Sequence, residues 1–406
     1  MMKSRMSKVR LCGLSSLLAL AGCGGGGGAP GVVLPAAAAS SGAGTFAPAC
    51  SAAQVAIESV CVDSAKTAEL VRGIVRDTMA ELDLRAAIVG VSVGDKQLVS
   101  QAWGESAPGQ PATVEMHWRI GSIAITYLTT ALLQLQDQGV LRIDDKLSKW
   151  LPDYPRANDI TLAMLANSTS GYAEYFSVDV LPIYADVHRQ WTQDELIAAS
   201  LAQRMVCEPG TCFSYSHVNF VILGRVLTMA SGTPVAELIR IGILKPLGMQ
   251  DTRSDSTPFI PAPVLHAFST DRGSYEDSTD WSPSATIAEG DIMTSTIPDV
   301  MRSAAAIATG KLLSPESFAQ FLAPRTSSLP PWTASRYYGL GIVASNGWLL
   351  QNPSFFGYSG LMAYMPAQKI TIAVTATLGP NASSDGNASQ KLFQRIAERL
   401  VPSSLP

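Results

Sequence analysis

Apolar positions fall into a few clear rhythms along this chain. From Ile123, the residues Ile123, Tyr127, Leu128, Ala131, Leu132 and Leu135 recur at helical spacing, and Gly139 supplies a stop. Leu70, Val71, Ile74, Val75, Met79 and Leu82 form one stripe, which predicts a helix over about 63–83. Ala87–Val93 and Leu98–Trp103 read as strands joined at Gly94-Asp95, a hairpin signal. Further helices are predicted at 218–230, 234–243, 297–309, 315–322 and 390–400. Strand signals return at 337–343, 348–350, 362–365 and 370–377. The order is helix, strands, a long helical stretch, strands, helix. It predicts an α/β (α+β) fold: one antiparallel sheet shared by both chain ends, flanked by N- and C-terminal helices, with an all-helical subdomain between. The sheet is expected from 62–121 and 330–402, and the helical insert from about 122–290.

Composition adds a compartment. The chain has 406 residues, a net charge of -4 and 47% hydrophobic residues, enough for a large core. No basic tract follows the N-terminus, so nucleic acid is not an expected partner. Lys3, Arg5, Lys8 and Arg10 precede the apolar run Leu11–Ala21, which is too short to span and remain in a bilayer. Leu20-Ala21-Gly22-Cys23 resembles a bacterial lipobox. That resemblance implies a signal peptide over 1–22, a lipid on Cys23, and a Gly/Ala-rich tether over 23–48. The expected location is a bacterial membrane, most simply the outer one, with residues 49–406 as the exported domain. Cys50, Cys61, Cys207 and Cys212 remain, and four cysteines allow three pairings. The local pairs Cys50–Cys61 and Cys207–Cys212 are expected, because Pro209-Gly210 makes a turn between the latter two. His117, His188 and His266 are scattered without metal-ligand spacing, and no metal or other cofactor is expected.

Ser122 stands at the start of the first helix named above, where free N–H groups and the helix dipole favour negative charge. A nucleophile there normally finds its base at i+3 on the same face. That position is Ile125, which cannot accept a proton.

RIGSIAIT, ITLAMLANSTSG, EPGTCFSYSHVNFVILG, ILKPLGMQDT, YYGLGI and FFGYSGLMAYMP occur in this order. In that order they resemble the serine β-lactamase-like hydrolases, which include class C β-lactamases, D-alanyl-D-alanine carboxypeptidases and related esterases. The resemblance runs from about residue 70 to 400. It implies a nucleophile at Ser122 and a proton-relaying tyrosine at Tyr215. It implies a substrate-binding strand over Tyr358, Ser359, Gly360 and Leu361, and oxyanion N–H groups on Ser122 and Leu361. Three positions depart from the family pattern: Ile125 for the base lysine, His217 for the asparagine after Tyr215, and Tyr358 for the cation before Gly360. A positioned base contributes roughly 10²–10⁴ in rate, so its loss bears directly on activity. His217 is a candidate substitute base. Two functions follow: a hydrolase that acylates Ser122 with an ester, amide or peptide, or a degenerate relative that binds cell-wall peptide or another ligand without turnover. The partner in either case is a small molecule or peptide, and the sequence leaves the oligomeric state open.

Overall fold

The computed structural model describes residues 49–406, apart from 178, 256, 287–292 and 384–385. Cys23, the signal peptide and the tether lie outside the described residues. Helix α1 (Ser64–Leu82) starts where Asp63 accepts the Lys66 N–H at 2.8 Å, and ends where Asp83 takes a left-handed conformation. Val71 and Val75 are fully buried, as their spacing predicts, whereas Leu70 lies outside the stripe and is 42% exposed.

Among the described residues, the main sheet has nine strands. They are β1 (Leu84–Val93), β2 (Lys96–Ala107), β3 (Gln110–Pro111), β4 (Arg336–Tyr338), β5 (Val343–Ser345), β6 (Trp348–Gln351), β7 (Ser354–Phe355), β8 (Tyr358–Met365) and β9 (Ile370–Leu378). Their order is β4-β5-β6-β8-β9-β1-β2-β3, with β7 also paired to β8, and all pairings are antiparallel. The two chain ends meet where β9 pairs with β1, so the sheet closes only after the whole chain is made.

Each face carries its own core. On one face, α1 and the C-terminal helix α5 (Ala388–Leu400) bury Val71, Val75, Leu392, Phe393 and Ile396 against the strands. On the other lie α2 (Ile123–Asp137), α3 (His217–Ser231) and α4 (Ile297–Ala308), within one continuous apolar cluster. Fully burying side chains of this kind is worth about 1.5–3 kcal/mol each. Helix α2 is buried on nearly every side, which is why it reads as apolar all round.

The segment between α2 and α4 is not wholly helical. Arg253–Ser254 joins Trp118–Arg119 and Met293–Ser295 in a small three-stranded sheet, and Phe268–Ser269 pairs with Glu276–Asp277. These pieces are two or three residues long, too short for alternation to reveal them. Likewise the stretch 337–343 is two strands rather than one, because it breaks at Gly339-Leu340-Gly341. Both expected disulfides, Cys50–Cys61 and Cys207–Cys212, are present.

Candidate active site

Ser122 is placed by what precedes it. Trp118 and Arg119 are fixed in the small sheet, and the buried Arg119 guanidinium donates to the carbonyls of Pro258 (2.6 Å) and Thr279 (3.2 Å). Gly121 then turns the chain with φ +47°, and Ser122 caps α2. A Cβ on Gly121 would sit 2.6 Å from Pro353 Cβ and 2.8 Å from Phe355 Cε1. Glycine is required there on both counts.

The Ser122 hydroxyl lies 3.0 Å from the Tyr215 hydroxyl. These two residues, 93 positions apart, are the part of the predicted site that the fold brings into hydrogen-bond contact. Tyr215 is delivered by a stapled loop. Val206 N–H donates to Gly171 O, Gly210 N–H to Thr169 O, and Ser214 N–H to Ser168 O, while Cys207–Cys212 closes the loop. The loop therefore docks on the Asn167–Gly171 turn, and Tyr215 emerges beside Ser122. Ile125 is fully buried; a Cβ on Gly341 would come 2.9 Å from its Cγ2, so its side chain packs there and offers no base.

His217 opens α3 and is 4% exposed. Its ring stands edge-on to Tyr215, with centroids 5.3 Å apart. Its Nδ1 lies 2.8 Å from Glu174 Oε2, and its backbone N–H donates to the same oxygen at 2.9 Å. Phe176 N–H donates to Glu174 Oε1 at 2.6 Å. Burial alone would raise the Glu174 pKa, but the attraction of His217 and these hydrogen bonds outweigh it and hold the carboxyl below its ordinary value. Glu174 was invisible in the sequence: it lies 43 residues before His217, with no periodic link to it. Its one signal is an acid just beyond the Ser-Thr-Ser-Gly turn.

A group whose folded pKa is depressed stabilises the fold above its unfolded value of 4.5, and that contribution is lost as pH falls through the folded value. Glu174→Gln should therefore be less stable than wild type at neutral pH, and the two denaturation midpoints should converge below the ordinary glutamate range. A gap that stays constant into acid would contradict the assignment.

The strand Tyr358–Leu361 is arranged differently from the substrate-binding role that the resemblance implies. Tyr358 is 2% exposed, and its hydroxyl donates to Leu265 O at 2.6 Å, so it presents no hydroxyl to a ligand. Burial holds this phenol well above its ordinary pKa, hence neutral. Ser359 points to the opposite face of the sheet, where its hydroxyl lies 3.0 Å from Ser389 Oγ on α5. Gly360 faces Trp118; a Cβ there would sit 2.5 Å from the indole ring. The Gly360 N–H donates to Pro353 O at 2.8 Å. Since edges alternate along an antiparallel strand, the Leu361 N–H turns the other way, toward Val374 on β9. The oxyanion pair expected from Ser122 and Leu361 is thus not assembled, because the ladder register gives Leu361 N–H to the interior of the sheet.

The outer edge of β8 is instead filled by the chain itself. β7 pairs with its first residues through a turn at Phe356-Gly357, both with positive φ, as type I′ hairpins require. Asn387, the N-cap of α5, donates from Nδ2 to Asn352 O and Pro353 O at 2.8 Å, pinning this segment from the far side. Sequence reasoning missed β7, since a proline argues against a strand except at an edge or at a strand's start. Among the described residues, no group of three or more His, Cys, Asp or Glu side chains is placed to hold a metal ion.

A family profile described as Beta-lactamase matches residues 71–395. The chain is 31% identical over 182 residues to the D-alanyl-D-alanine-carboxypeptidase/endopeptidase AmpH of Escherichia coli, covering 41% of this chain and 45% of that protein. It is 25% identical over 205 residues to esterase EstB of Burkholderia gladioli, covering 47% and 52%. The chain spans between 37% and 66% of the length of the first curated relatives it matches. A D-stereospecific amidohydrolase from Streptomyces sp. superposes with a TM-score of 0.71 at 24% identity, over 84% of this chain and 99% of that one, which establishes the shared fold. With a matching profile over most of its length and the family's nucleophile helix and sheet in place, the chain belongs to the β-lactamase family.

Proposed function

We propose that this protein is an exported serine hydrolase that cleaves an ester, amide or peptide bond through an acyl-Ser122 intermediate. The observation that carries the reading is the 3.0 Å contact between Ser122 Oγ and the Tyr215 hydroxyl. Serine attacks the substrate carbonyl while Tyr215, with His217 behind it, handles the proton that a lysine takes elsewhere in the family. The Ser122 N–H, at the start of α2, is the remaining candidate oxyanion donor. The relatives include a carboxypeptidase/endopeptidase and an esterase, which supports an ester, amide or peptide as the substrate. We take the mature chain to be held at a bacterial membrane by a lipid on Cys23, on the strength of Leu20–Cys23 and the Gly/Ala-rich stretch after it.

A second reading, binding of cell-wall peptide or another ligand without turnover, is favoured by the burial of Ile125 and the occupied edge of β8. Intact-mass measurement after exposure to a fluorophosphonate or an activated ester separates the two. The hydrolase reading expects one adduct, located on Ser122 and absent from Ser122→Ala. A wild-type protein that stays unmodified after prolonged exposure, yet gains melting temperature from a ligand, supports the binder instead.

A further inference from the structure

The Glu174–His217 pair has a geometry that the family resemblance does not imply. Glu174 accepts from the backbone N–H groups of Phe176 and His217 as well as facing the imidazole, so its two oxygens are held from several directions. An ionised carboxylate only accepts hydrogen bonds. The Nδ1 of His217 must therefore be the donor in the 2.8 Å contact, which leaves the lone pair of a neutral ring on Nε2. The ring is packed as well as hydrogen-bonded into place, against Tyr175, Phe176 and Tyr215, at centroid distances of 6.2, 5.5 and 5.3 Å. Its titratable neighbours in ring contact are thus Glu174, Tyr175 and Tyr215, and the Tyr175 hydroxyl donates to Thr286 O. Beyond Tyr215 comes Ser122, and the position from which a lysine would act is apolar.

We propose that Glu174 is a positioning residue that fixes the His217 tautomer, so that Nε2 receives the proton released when Ser122 is acylated. This rests on the hydrolase reading above. As Ser122 Oγ forms its bond to the substrate carbonyl carbon, the carbonyl π pair moves to oxygen. The serine proton passes to the Tyr215 oxygen, 3.0 Å away, while the tyrosine proton passes through one bridging water to His217 Nε2. Collapse of the tetrahedral intermediate breaks the bond to the leaving group, which takes a proton back along the same path. Water then repeats the sequence on the acyl-enzyme, restoring Ser122 and releasing the acid. Glu174 stays ionised throughout and offsets the charge on the transient imidazolium.

The test uses the protein in wild-type, Glu174→Gln, Glu174→Asp and His217→Asn forms. Two quantities are read: the rate of Ser122 acylation by an activated ester, and the ring ¹⁵N shifts of His217, assigned by its loss in His217→Asn. Wild type should show the Nδ1–H tautomer. Glu174→Gln should lose that preference and acylate about 10²-fold or more slowly. Glu174→Asp should recover part of both, which a merely structural role would not produce. If wild type acylates and Glu174→Gln acylates equally fast, the proposal is overturned while the hydrolase reading stands. If wild type shows the Nε2–H tautomer, the proposal is overturned on geometry alone. A wild type that never acylates removes the hydrolase reading and this proposal with it.

Discussion

Tyr215→Phe is expected to slow acylation of Ser122 by roughly 10²–10⁴, the usual contribution of a positioned proton-transfer group. The variant deletes the oxygen that lies 3.0 Å from the nucleophile and leaves the ring, with its contacts to His217, Phe220 and Tyr338. Stability should fall only by about 0.5–1.5 kcal/mol, the net worth of one hydrogen bond. The burst phase of an activated ester, followed by stopped flow beside a thermal melt, separates the two effects. In a family member with the lysine in place, the tyrosine shares its task with an amine. Here Ile125 contributes nothing to proton movement, so Tyr215 is the first acceptor on the path to His217 and its loss should be felt in full. An unchanged burst rate would mean that Ser122 reacts without it.

Gly357→Ala should be among the most damaging single-atom additions to the fold. Gly357 has φ +81°, and an added Cβ would overlap the Phe268 carbonyl oxygen and lie 2.5 Å from its carbon. The left-handed conformation costs an L-residue about 1–2 kcal/mol, and overpacking costs about 1–3 kcal/mol more. Backbone has no rotamer by which to move aside, so the two should add, giving a loss of roughly 3 kcal/mol in denaturant unfolding. Because this turn joins β7 to β8, the variant should also loosen Pro353 and Phe355 from Gly121. A midpoint equal to wild type would show that the hairpin shifts freely away from Phe268.

The elements whose signal is long and periodic were legible from sequence. Helix α2, the β1–β2 hairpin at Gly94-Asp95 and helix α5 all appear where the apolar pattern puts them. Ser122 was legible from its place at the head of α2, and Tyr215 from the resemblance carried by the segment EPGTCFSYSHVNFVILG. What was not legible depends on register and on distant contacts. Whether the Leu361 N–H faces the site or the sheet interior is decided by one residue of ladder phase, set by the Phe356-Gly357 turn and the Pro353 carbonyl. Tyr358 reads as a pocket residue until Leu265, from far along the chain, accepts its hydroxyl. Glu174 becomes meaningful only once α3 brings His217 to it.

The segment Asn352–Phe355 carries a consequence for what can be recognised at Ser122. From Tyr358 to Tyr364, the outward-facing peptide groups of β8 are already matched, first by β7 and Pro353 and then by β6. A strand in that state offers no template along which an arriving polypeptide could lie. Selectivity must then come from the contour around the serine and from whatever bulk the acyl portion itself presents. On the hydrolase reading, short ligands that approach end-on suit such a surface, and those that depend on running beside the sheet do not.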